Sequence, residues 1–163
     1  MTQHVISVKV ENKFGVLARV AGLFSARGYN IDSLAVSKTE DDDISVMTIV
    51  VQGDSRILEQ VKKQLNKLID VIKVSDHTPQ LSIQRELALV KVNCTPVKRS
   101  EVLQLAELFK AEVADVALKN ITFSIDGESS KIDRFIELVA PYGIKESMRT
   151  GIVSILKDRE PYK

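Results

Sequence analysis

At 163 residues with 44% hydrophobic side chains, the chain holds enough apolar material for one ordinary domain or two small ones. Lys and Arg total 23 against 22 Asp and Glu, a net charge of +1, spread evenly with ten of each sign in residues 1–80 and thirteen against twelve in 81–163. With no Trp and 5% aromatics, neither a polybasic face for nucleic acid or anionic lipid nor a stacking surface for bases is legible. Residues 1–15 lack the n- and h-regions of a signal peptide, and no run approaches the roughly 18 apolar residues of a membrane span. Cys94 is the single cysteine, so no intrachain disulfide can form, and a cytoplasmic protein is expected.

In chain order, residues 4–10 alternate with β-branched side chains and read as a strand. Residues 15–27 place Leu17, Val20, Leu23 and Phe24 at helical spacing, with Gly28 as the residue that stops the helix. Strands are expected at 31–38 and 44–52, joined through the acidic turn Glu40–Asp43. A second helix follows Gly53-Asp54-Ser55, with Leu58, Val61, Leu65 and Leu68 on one face. A strand at 71–75 completes the order βαββαβ. Residues 77–84, polar and containing Pro79, read as a linker. The order then recurs. A strand at 86–92 precedes a helix at 96–110 using Val102, Leu105, Leu108 and Phe109, and strands follow at 113–118 and 121–126. Ser130 with Asp133 reads as a capping box for a helix bearing Ile132, Phe135, Ile136 and Val139. Gly143 ends that helix, and Gly151–Leu156 is expected as the last strand. The fold class is therefore α+β: two tandem ferredoxin-like βαββαβ domains, 1–76 and 85–163, each a sheet with helices on one face. A sheet covered on one side leaves edges and a face that need partners, so a homodimer is expected.

Residues 11–34 concentrate the functional signal. Asn12 and Gly15 bracket the entrance of the first helix and Asn30 starts the next strand. Two carboxamides and a row of free helix N-terminal amides are thus expected to converge. Such amides attract a carboxylate, and a carboxamide serves both ends of a zwitterion. The expected ligand is a small amino acid. The plainer reading is that Asn12 is only an N-cap and Gly15 only a turn glycine.

NKFGVLARV (12–20), GLFSARGYNIDSL (22–34), MTIVV (47–51) and LEQVKKQLNKLIDVIKV (58–74) together resemble the small, regulatory subunit of acetolactate synthase (acetohydroxyacid synthase). The first unit resembles an ACT domain. RELALVKV (85–92) and SMRTGIVS (147–154) resemble that family's second half, so the likeness spans the chain. It implies a non-catalytic subunit that activates a separate catalytic large subunit and confers feedback inhibition by a branched-chain amino acid, most often valine. Thiamine diphosphate, flavin and magnesium are then expected on the large subunit, with no cofactor in this chain. In the family, ACT domains pair side by side with effector at their interface. Carried over, the effector residues are Asn12, Gly15, Val16, Leu17, Asn30 and Ile31. Asn12 and Asn30 hold the polar head, the amides of 15–17 meet the carboxylate, and Leu17 and Ile31 lie near the aliphatic side chain. The chain departs from the family at Ser45-Val46-Met47-Thr48, at Phe109-Lys110-Ala111 and at Gly127–Lys131, where a frequent arginine is absent.

Other features carry less. The acidic run Glu40–Asp43 lacks the spacing and glycine of a calcium loop. His4 and His77 have no ligand partners at zinc spacing, and Cys94 reads as a small buried residue. Gly53-Asp54-Ser55 matches the start of a thiamine-diphosphate signature without its continuation, and a helix cap explains it. No nucleotide-binding, hydrolase or metalloprotease motif is present. The alternative function is a free-standing ACT sensor or transcriptional regulator, which would need a DNA-binding element.

Overall fold

The computed structural model describes residues 2–77 and 82–158. The first βαββαβ repeat is β1 (Thr2–Glu11), α1 (Val16–Ala26), β2 (Ile31–Lys38), β3 (Ile44–Gly53), α2 (Ser55–Leu65) and β4 (Val71–Asp76). Its four strands lie in the order β2-β3-β1-β4, antiparallel throughout. Alternation on β1 and β3 sends Ile6, Val8, Val10, Met47, Ile49 and Val51 to one face. There they meet Val16, Val20 and Phe24 of α1 and Leu58, Val61 and Leu65 of α2. Each such side chain contributes about 1.5–3 kcal/mol on burial, enough to override the weak helix propensity of the β-branched residues in α1. Asp54 caps α2, accepting the Ile57 amide at 2.9 Å. Gly28 adopts φ +67° after α1, as its place past the helix end requires.

The second repeat is β5 (Ser82–Asn93), α3 (Arg99–Leu108), β6 (Glu112–Val116), β7 (Asn120–Gly127), α4 (Ser129–Val139), a 3-10 turn at Ala140–Tyr142 and β8 (Ile144–Arg149), followed by β9 (Val153–Leu156). The order β6-β7-β5-β8 repeats that of the first sheet. Its core unites Ala88, Val90, Val92 and Cys94 with Ile121, Phe123, Ile125, Ile132, Phe135 and Val139. Phe123 and Phe135 meet edge-on, 5.8 Å between centroids.

Several expectations are corrected. The expected last strand is found at Val153–Leu156 and pairs with β5, but the strand that lies beside β5 in the order of the second sheet is Ile144–Arg149, where none was expected. Backbone pairing with β5 fixes it, although only Ile144 packs against the core, so the segment carries no hydrophobic signature. By compactness, the described residues from Ile152 on group with the first unit, which otherwise ends at Ile83, while the second comprises Gln84–Gly151. Of the expected linker, residues 78–81 lie outside the described residues and Ser82 already belongs to β5. The Ser130–Asp133 capping box is absent. Glu128 is the N-cap without a side-chain bond; Ser129 donates to Glu86 at 2.6 Å, and Asp133 accepts from Arg149 at 2.6 Å. Leu108 and Leu17 are exposed rather than core.

Candidate functional site

The site begins where β1 ends. Its last pair is Glu11 opposite Ile44. Asn12 then donates its backbone N–H to Asp43 O at 2.7 Å and its side-chain amide to Asp42 O at 2.7 Å. Asn12 therefore anchors the β2–β3 turn and does not cap α1. Gly15 takes the cap position at φ +80° with no side-chain cap bond, a left-handed conformation suited to glycine. The first helical bond runs from the Arg19 amide to Gly15 O at 3.0 Å, and the amides of Leu17 and Ala18, ahead of it, are orphan donors of the kind that bind anions. Val16 is buried in the core, whereas Leu17 is exposed beside these donors.

Sequence reasoning missed two residues here. Arg19, one turn after Gly15, donates through Nε to Asp70 Oδ2 at 2.9 Å, with Nη2 at 2.7 Å from the same oxygen. A Cβ built on Gly15 would stand 3.2 Å from Arg19 Nη1. A cation near a helix N-terminus opposes the helix dipole, and buried Asp70 compensates it. Asp70 is itself fixed by its carbonyl, which accepts the Glu11 amide at 2.9 Å. The i, i+4 spacing of Gly15 and Arg19 was the available signal; Asp70 had none.

Asn30 stands elsewhere. Its amide donates to Asp32 at 2.8 Å, and Ile31, which follows it, pairs with Val51 and packs against the core. Ile44 and Val51 are seven positions apart on β3, so Asn12 and Asn30 lie at opposite ends of the sheet, roughly 23 Å apart at about 3.3 Å per residue. The two carboxamides do not converge within one chain. β1 leads into the start of α1 and β2 leaves its far end, so a helix length separates them.

The remaining polar features are structural. In the acidic turn, Lys38 pairs with Asp42 and the Asp43 amide bonds the Asp41 carboxylate at 3.0 Å. Among the described residues no three His, Cys, Asp or Glu side chains form a metal-holding group, and no helix is long and apolar enough to cross a membrane. Cys94 is buried. In the second unit Glu86, buried on the helix-covered face, takes two bonds from Arg149 and one from Ser129. Burial pushes the Glu86 carboxyl up, and the Arg149 and Ser129 hydrogen bonds outweigh it, leaving the pKa below its ordinary value.

A βαββαβ unit with a glycine-opened α1 and an unpaired β2 edge has the architecture of an ACT domain, the class of module the first repeat represents. Residues 6–73 match the family described as the acetohydroxyacid-synthase-small-subunit-like ACT domain, and residues 85–158 match that described as the small subunit of acetolactate synthase. The chain belongs to the acetolactate synthase small-subunit family. It is 48% identical to the acetolactate synthase small subunit of Aquifex aeolicus, covering 96% of this chain and 82% of that one. Identity with the counterpart from Mycolicibacterium smegmatis is 47%, over 93% and 89%. The crystal structure of the Thermotoga maritima small subunit superposes with a TM-score of 0.90 at 36% identity, covering 98% of this chain and all of that one. Family and ACT domain together give the chain a regulatory role, with a catalytic large subunit as its implied partner.

Proposed function

We propose that this chain activates the catalytic subunit of acetolactate synthase and makes it sensitive to feedback inhibition by a branched-chain amino acid, valine first. The effector binds between the first units of two copies. The observation that carries the reading is the separation of Asn12 from Asn30. A second copy paired antiparallel through the free β2 edge would set the partner's strand start beside the Lys38 end of β2, the end of the sheet where Asn12 leads into α1. Each site then takes Asn12, Gly15, Val16 and Leu17 from one copy and Asn30 and Ile31 from the other. The orphan amides of α1, with Arg19 above Gly15, receive the carboxylate. The carboxamide oxygens accept from the ammonium, and exposed Leu17 meets the aliphatic side chain. Valine and leucine differ by one methylene, about 0.8 kcal/mol, so an apolar lining separates them weakly. Thiamine diphosphate, flavin and magnesium belong to the catalytic subunit. A coupling of about 1–3 kcal/mol between effector and catalytic sites suffices for ordinary feedback.

The test is acetolactate formation by the catalytic subunit with and without this chain, titrated with valine. Stimulation reversed by valine is expected. Gly15→Asp, which sets a carboxylate against that of the effector, is expected to stimulate normally and to lose inhibition. A fully valine-sensitive Gly15→Asp protein would reject the site.

A further inference from the structure

The cation at the entrance of α1 is held by a residue 51 positions further along the chain. The pairing of β4 with β1 ends at Val71 opposite Val10, and the Asp70 carbonyl accepts the Glu11 amide at 2.9 Å. Asp70 is thereby fixed beside the start of α1, its side chain only 11% exposed. Arg19 presents one edge of its guanidinium to it. Nε donates to Oδ2 at 2.9 Å, and Nη2 stands 2.7 Å from the same oxygen. Nη1, on the other side of the planar group, has no hydrogen-bond partner among the described residues. It stands 3.2 Å from the place a Gly15 Cβ would take.

Without Asp70 this arginine has two reasons to leave. α1 has no acidic residue in its first turn, and the positive end of the helix dipole repels a cation. About half of the Arg19 side chain faces solvent, and a long side chain gains rotamer entropy by swinging free. The buried carboxylate opposes both tendencies. Because a guanidinium is planar and rigid, fixing its Nε–Nη2 edge also fixes where Nη1 points. Gly15, having no side chain, leaves the space in front of Nη1 open.

We propose that Asp70 is a positioning residue for effector recognition. It holds Arg19 so that Nη1 and the orphan amides of Leu17 and Ala18 act on one carboxylate. The proposal rests on the effector reading above and adds a residue that acts on the effector only through Arg19.

A double-mutant cycle on the full chain, read by calorimetry with valine, tests this. Arg19→Gln is expected to weaken valine binding about tenfold, the low end of what a hydrogen bond to a charged group carries. The backbone amides remain, so binding stays measurable. Asp70→Asn is expected to weaken binding about fivefold in the parent and less than about twofold in the Arg19→Gln background, a coupling within the range for residues in contact. Equal losses in both backgrounds overturn the proposal, since a residue that merely supports the fold acts with or without Arg19. Tighter binding by Asp70→Asn also overturns it, and would make Asp70 a competitor of the effector for the cation. If Arg19→Gln melts early because it strands a buried carboxylate, Arg19→Lys decides instead. It keeps the charge, loses the two-pronged edge, and is expected to weaken valine binding at least about threefold; parent-like affinity overturns the positioning role. A parent that binds no branched-chain amino acid rejects the effector reading itself, and the role of Asp70 with it, whereas a parent that binds leaves the cycle to decide.

Discussion

The two repeats share an element order and differ where the first helix begins. The last pairs of the central strands are Glu11 with Ile44 and Asn93 with Asn120. The next residues, Asn12 and Cys94, each donate a backbone amide to the residue just before the partner strand, Asp43 and Lys119. These positions therefore correspond. Asn12 is exposed, while Cys94 is 1% exposed and part of the core. Past them the first unit opens α1 with Gly15 and orphan amides. The second turns through Pro96 and starts α3 at Arg99, whose guanidinium is spent on Ala117 O at 2.8 Å and Leu118 O at 3.2 Å. One scaffold thus carries a helix entrance with free amides and a closed one, and the difference lies in a few loop residues. The second unit places its polar chemistry at the Glu86–Arg149 pair instead, where it fastens β8 to β5.

The comparison can be broken most strongly at the cores. Phe135→Ala is expected to cost about 3–5 kcal/mol, since Phe135 contacts both Phe109 and Phe123. Thermal unfolding should show the second unit melting early, and valine binding measured below that transition should persist if the first unit holds the site by itself. Arg149→Ala comes next. It leaves Glu86, 5% exposed at its side chain, without its cation, at about 2–3 kcal/mol. Denaturant titration checks this, and Arg149→Lys should recover only part because the two-pronged geometry is lost. Cys94→Asn gives the second unit the first unit's residue at the corresponding position. With no exposed turn to receive it, the amide is buried, and a loss of about 1–3 kcal/mol is expected with no added valine binding by calorimetry.

Acid should separate the units more gently. Burial lowers the His77 pKa below 6.5, with Asp76 opposing and Lys73 reinforcing the shift. The native state thus keeps His77 neutral while the unfolded chain protonates. This contribution is complete above 6.5 and is lost as pH falls from there toward the lowered native value. Glu86, also lowered, contributes fully above its ordinary 4.5 and loses that contribution as pH falls through its native value. Amide exchange across a pH series should therefore show the first unit and its C-terminal segment loosening at mildly acid pH while the Glu86 clamp still holds. Simultaneous loosening of both units would remove this distinction.

Much was legible in the chain order. Alternation gave β1, β3 and β5, heptad-like spacing gave α2 and α4, and Asp54 announced its cap. Arg19 above Gly15 was half-legible from i, i+4 spacing, and Asp70 was not, because its partner is 51 positions away. β8 was missed because IKESMR buries little and is held by backbone pairing, which leaves no side-chain pattern. The apolar VSIL is a strand as expected, but Val153, Ile155 and Leu156 are exposed; the buried residue is Ile152, packed with Val5 and Val50, because hydrophobicity does not say which of neighbouring apolar residues a distant sheet will cover.

Short-range physics explains what the sequence determined by itself: two βαββαβ repeats, the glycine-opened start of α1, and the family. Periodicity, turn residues and motif spacing act within a few residues and can be read locally. Only the tertiary structure decided that Asn12 and Asn30 stand at opposite ends of the sheet, that Arg149 closes on Glu86, and that Ile152 returns to the first unit. Each depends on pairing register and on contacts between residues far apart in the chain, where local propensity is silent and chain folding sets the geometry.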